Sequence, residues 1–109
     1  MGMFDWLKVE YDLGKFNFLK TESPPCGFQT KSLLNCMDTY ILSADGRLLW
    51  STENDMNYPG ILSFHIPCED KWYEFTAIFD STGQMVELAV VISPCPFTVE
   101  VRQDIYKLL

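Results

Sequence analysis

No run of apolar residues in this sequence approaches the roughly 18 that a membrane-spanning helix needs. Met1–Trp6 (MGMFDW) lacks the basic n-region and apolar h-region of a secretory leader, so a cytosolic protein with reduced thiols is expected. Basic residues are few, 8 against 15 acids, for a net charge of −7. That balance disfavours direct binding to nucleic acid, whose phosphates recruit Lys and Arg. It suits solubility, and equally a partner whose own surface is basic.

The sequence is also short of reactive groups. It has a single histidine, His65, with no nucleophile motif beside it. The six glycines are scattered one per turn and form no phosphate-binding loop. No paired carboxylates stand out. Four cysteines, Cys26, Cys36, Cys68 and Cys95, are separated by 9, 31 and 26 residues, without the close pairs that preset a structural zinc site. Three of them follow a proline, which places them near loop ends. The spacing favours free thiols over zinc. No catalytic residue, metal or cofactor is expected.

What the sequence has is alternation. In Lys71–Ser93, Tyr73, Phe75, Ala77 and Phe79 line one face of the first arm and Val86, Leu88, Val90 and Ile92 one face of the second, and the two stripes meet on one face of the hairpin. Period two is the strand signature. A four-residue loop, Asp80–Gly83, closes a hairpin, with Gly83 supplying a positive φ. The register this implies pairs Tyr73 with Val90, Phe75 with Leu88 and Ala77 with Val86. The opposite face carries Trp72, Ile78, Met85, Ala89 and Val91 among only three polar residues, Glu74, Thr76 and Glu87. Such a face calls for a cover, either another layer of the chain, which is favoured, or a partner.

Further strands are expected at Leu7–Leu13, Phe28–Ser32, Ile61–Ile66 and Phe97–Arg102. Residues 15–26 read as a loop whose aromatics tuck onto the core. Asp38–Ser51 reads as a second hairpin about Ala44-Asp45-Gly46, setting Leu42 opposite Leu48 and Tyr40 opposite Trp50. Ser32–Met37 suits one helical turn, and Asp104–Leu109 a short helix or a fraying tail. The sum is one all-β domain over residues 1–109: an antiparallel sandwich or strongly curved sheet of about seven short strands, with room for one short helix.

Acids gather at expected loop positions: Asp45, Glu53 and Asp55, then Glu69 and Asp70. They form either a solvated rim or a docking surface for a basic protein. Tyr58 and Trp72 lie near them in sequence and supply aromatic anchors for the second reading. Trp50 is read as core.

The segments MGMFDW, GFQTKSL, DGRL at 45–48 and KWYEF at 71–75 resemble a family of small uncharacterised proteins of tailed phages and prophages. The resemblance brings no catalytic residue with it. It implies an accessory protein acting in the host bacterial cytoplasm. For such a protein the expectation is a non-enzymatic inhibitor of a host defence protein, a CRISPR effector for example, that occludes a basic surface. The rival expectation is a self-associating structural or assembly module of the virion.

Overall fold

The computed structural model describes residues 4–21, 28–33, 38–50, 54–68, 71–94 and 104–109. Among the described residues eight strands form one curled sheet: β1 (Asp5–Val9), β2 (Phe28–Thr30), β3 (Thr39–Leu42), β4 (Leu48–Leu49), β5 (Gly60–Cys68), β6 (Lys71–Phe79), β7 (Met85–Pro94) and β8 (Asp104–Lys107). Their order is β4-β3-β1-β2-β5-β6-β7-β8. The all-β expectation holds, in its curved-sheet form. No helix among the described residues is long and apolar enough to cross a membrane.

One pairing departs from the antiparallel expectation: β1 runs parallel to β3. The reason lies in the order of arrival. β2 takes the slot antiparallel to β1 on one side, and residues 10–38 are a long enough crossover to deliver β3 on the other.

The β6–β7 hairpin forms where expected, but its register is displaced by two residues. Tyr73 faces Ile92, Phe75 faces Val90 and Ala77 faces Leu88. A slip of two keeps each side chain on its face, so the apolar stripes still meet, as period-two patterning requires. A tighter turn, in which the Asp80 amide donates to the Gln84 carbonyl, accounts for one residue of the difference, and a bulge beside Ile78 and Phe79 for the other. Ile78 pairs with Glu87 and Phe79 with Met85, leaving Val86 as the extra residue on β7. The expected roles of Met85 and Val86 are therefore exchanged. Met85 is buried in the core and Val86 is 48% exposed.

A single sheet buries its inner face because the segment after β1 covers it. Gly14–Thr21, expected as loop, is a 3-10 helix. With three residues per turn, Leu13, Phe16 and Leu19 fall on one line, and all three are buried. The Phe16 ring meets Tyr106 edge-on at 5.5 Å and Phe75 at 6.3 Å. Lys15 Nζ lies 3.7 Å from the Tyr106 ring centroid, a cation–π contact that ties this helix to β8. At the helix start, Asp12 Oδ1 accepts from the Gly14 amide at 2.9 Å and from Asn17 Nδ2 at 2.7 Å. Asn17 Oδ1 in turn accepts from the Leu13 amide at 2.7 Å. These bonds, Asn17's foremost, lower the Asp12 pKa.

The Asp38–Ser51 hairpin matches its expected register at Leu42↔Leu48, and Gly46 has φ +83°. Trp50 corrects the sequence reading: it is 54% exposed, not core. β4 ends at Leu49, and the Trp50 amide donates to the Asn54 carbonyl at 2.7 Å, so the chain has left the ladder before Trp50 can face Tyr40. Asp104–Lys107, expected as helix or tail, is an eighth strand, paired to β7 with Ile105 opposite Val91. The expected strand Phe97–Arg102 and the helical turn after Leu33 lie outside the described residues.

Candidate functional site

Two regions gather polar side chains. The first is a corner where the β3–β4 turn meets the β6–β7 turn. Arg47 sits at its centre. Its Nε donates to Asp55 Oδ2, and its Nη2 donates to Asn57 Oδ1 at 2.9 Å and to the Thr82 carbonyl at 2.6 Å. Arg47 and Gln84 form an antiparallel bridge. Gln84 Nε2 donates to the Asp45 carbonyl at 2.8 Å, and the Met85 amide to the Gly46 carbonyl at 2.9 Å. Asp80 Oδ1 closes its own turn by accepting from the Thr82 hydroxyl and from the amides of Thr82 and Gln84.

These contacts explain the carboxylates here. The Arg47 hydrogen bond, then the Asn57 amide, holds Asp55 below the usual aspartate pKa. Asp55 in turn raises that of Arg47. The Thr82 hydroxyl, then the Gln84 and Thr82 amides, lowers Asp80. A depressed folded-state pKa contributes stability that is present above the unfolded value and lost as pH falls through the folded one. The melting temperature is therefore expected to hold steady above about pH 5 and to drop as pH descends below the ordinary aspartate value of about 3.9. Asp55→Asn should lower the melting temperature near neutrality and flatten the acid limb, measured by circular dichroism across that range. An acid limb as steep in D55N as in the wild type would assign the loss to other groups.

The residues expected as a docking surface divide between this corner and the far end of β6. Asp45 and Asp55 are both at the corner, where Asp45 accepts from the Ser43 hydroxyl. Tyr58 lies beside them in the chain, its ring edge-on to Phe79 at 5.7 Å and its hydroxyl donating to the Ile61 carbonyl at 2.9 Å. Burial pushes its phenol pKa up. Trp72 is at the opposite end of β6, about 25 Å away along the strand. Glu53, Glu69 and Asp70 lie outside the described residues. So do Cys26, Cys36 and Cys95, while Cys68 is half-buried. Among the described residues no three potential metal ligands cluster.

The second region surrounds Trp72 on the outer face of the sheet. His65 of β5 stacks on Trp72 with ring centroids 4.5 Å apart and planes 18° from parallel. His65 pairs across strands with Glu74. Together with Lys31, Ser32 and Ser63 they line an open groove of about 360 Å³. Ser32 Oγ accepts from the Ser63 amide at 3.0 Å, which fixes the end of β2 to β5. Burial lowers the His65 pKa, Lys31 lowers it further, and the Glu74 carboxylate opposes both. His65 is therefore neutral at pH 7.

The sequence reading missed Arg47 as a hub and Glu74, Lys31, Ser32 and Ser63 as neighbours of His65. The expected strand ends at Ile66, but β5 continues to Cys68, which pairs with Lys71, and this register sets residues 65 and 74 opposite one another.

The outer face holds more than the groove. Ile61 is 58% exposed and Ile105 69% exposed, with Ile78, Ala89 and Val91 half-buried between them. All described strands belong to one sheet, and the 3-10 helix packs on its other side. Among the described residues, then, the cover expected from within the chain is not a second sheet. No protein-family model, no characterised protein and no solved structure matches the chain.

Proposed function

We propose that this chain is a non-enzymatic binding protein that docks the outer face of its sheet on a basic surface of another protein. The observation that carries the reading is the apolar outer face of β5–β8, exposed at Ile61 and Ile105 and bearing the stacked His65–Trp72 pair. Exposed apolar area with an aromatic anchor is how protein interfaces concentrate their energy. The net charge of −7 selects a basic partner by long-range attraction. The resemblance to small phage proteins makes the partner a host protein, specifically a defence enzyme such as a CRISPR effector, whose basic surface ordinarily holds nucleic acid. Inhibition follows from occupancy of that surface in the host cytoplasm.

The test uses the whole chain as bait in a lysate of a bacterial host, beside Ile61→Asp/Ile105→Asp. The wild type is expected to retain a basic protein and, added in excess, to release nucleic acid from it. The double variant is expected to do neither, and retention should weaken with salt. Equal retention by the variant, or no release of nucleic acid, would overturn the reading. The rival, self-association, has one observation in its favour: Ile105 is exposed on β8, the terminal strand of the sheet. Sedimentation as a closed dimer or ring would decide for it.

A further inference from the structure

The outer-face groove has a composition that selects its occupant. One wall is a flat pair of stacked rings, His65 on Trp72. Glu74 stands next to His65 on the neighbouring strand, and Lys31, which follows β2, is among the groove's lining residues. The charges facing His65 are Glu74 from β6 and Lys31 from the segment after β2.

An anionic ligand would meet a single lysine against a glutamate, on a protein already carrying −7. A cation gains from that field, from the carboxylate and from an outer ring face of the stack. Between the two biological cations, the guanidinium fits better. It is planar, stacks on aromatic surfaces and takes a carboxylate in a two-pronged bond, whereas an ammonium is a compact, strongly hydrated point charge. Lys31 would repel a bare cation. It suits an arginine carried by a polypeptide, whose carbonyl oxygens accept from the lysine.

We infer that this groove receives an arginine side chain of the partner protein, with Glu74 and the Trp72–His65 platform as the recognising groups. The inference rests on the docking proposed above and names the chemistry of one contact within it. Neutral His65 is part of the device. Its protonation would place a second cation beside Lys31 and oppose the guanidinium, so occupancy should fall in mild acid.

The experiment is a titration of the full chain with N-acetyl-arginine amide, followed by the ¹⁵N–¹H resonances of Glu74, His65 and the Trp72 indole. Parallel titrations use the lysine analogue and the neutral isostere citrulline. Arginine is expected to shift those three residues together, with a dissociation constant roughly in the millimolar range appropriate to one side chain. Glu74→Gln and Trp72→Ala should each weaken it by about tenfold, the scale of a charge-assisted bond. Trp72→Phe retains a ring and should weaken it less, which separates loss of recognition from loss of fold. Binding should hold level down to about pH 6.5 and decline below it in the wild type, and stay level in His65→Phe.

Equal shifts with citrulline, or arginine shifts confined to other residues, would overturn the assignment. Retention of the host protein by Glu74→Gln and Trp72→Ala at wild-type yield would also remove the arginine contact while leaving the docking face standing. Arginine binding without any retained host protein would do the reverse.

Discussion

Gly83→Ala is expected to be among the most damaging single substitutions in this chain. Gly83 has φ +88°, a conformation that costs a residue with a side chain about 1–3 kcal/mol. Steric crowding adds to this. A Cβ at that position would lie 2.6 Å from Asn57 Cα and 2.8 Å from the Asn57 carbonyl carbon, both backbone atoms, and 3.0 Å from Arg47 Nη2. Backbone cannot rotate away as a side-chain tip can. Asn57 is itself held at φ +49° and bonded to Arg47 and Asp55, so the corner moves as a unit or not at all. Together these predict a loss of about 3 kcal/mol or more, against a total of about 5–15 for a domain of this size. Gly60→Ala is the internal control. Gly60 has φ +98° with nothing near the added methyl, so it carries the backbone cost alone. Urea unfolding of both variants should rank Gly83 well above Gly60; equal losses would mean the turn yields and the crowding is harmless.

The second large effect is expected at Phe75. This ring is fully buried and stacks on Phe64 across β5 and β6, with centroids 5.1 Å apart and planes 3° from parallel. Phe28 meets it edge-on at 5.8 Å from β2, and Phe16 at 6.3 Å from the 3-10 helix. It therefore joins the sheet to the segment that covers it. Phe75→Ala should cost about 3–5 kcal/mol, combining lost transfer energy with a cavity that a rigid sheet cannot close. Phe75→Leu should cost substantially less. A double-mutant cycle with Phe64→Ala should return a coupling of about 0.5–1.5 kcal/mol. Additive losses would show that the two rings share only area.

Why some of this was readable from the residues, and some was not, follows from which forces are local. The hairpin stripes of Tyr73, Phe75, Ala77 and Phe79 are a property of the chain itself, since alternate side chains must share a face. Gly83 and Gly46 announce their turns because only glycine takes those angles without strain. The register slipped because the turn closes Asp80 on Gln84 and β7 bulges at Val86, next to the bond by which Met85 meets Gly46 of a turn far away in sequence. The 3-10 helix was hidden for a different reason. Its period of three over Leu13, Phe16 and Leu19 overlaps the last residues of a strand-like alternation, Val9, Tyr11 and Leu13, and the alternation dominates the pattern. Trp50 was read as core in a hairpin register that set it opposite Tyr40, but β4 stops one residue short of it.

The candidate site divides in the same way. Trp72 was legible as an aromatic close in sequence to Glu69 and Asp70. Asp45 and Asp55 were legible as turn acids, but their engagement with Ser43 and Arg47 requires two hairpins to meet. His65 was set aside as a lone histidine with no nucleophile motif beside it; its groove neighbours Lys31 and Ser32 follow β2, and the pairing of β2 with β5 carries no signature in the chain.

The parallel pairing of β1 with β3 has a consequence for biosynthesis. β1 leaves the ribosome before either of its neighbours, and its far flank stays unsatisfied until residue 42 has emerged. Until then, the edge that later joins the two halves of the sheet is open to any extended peptide nearby. Chaperone demand during translation should therefore be concentrated on this first strand, well before the long β5–β7 ribbon exists to bury anything.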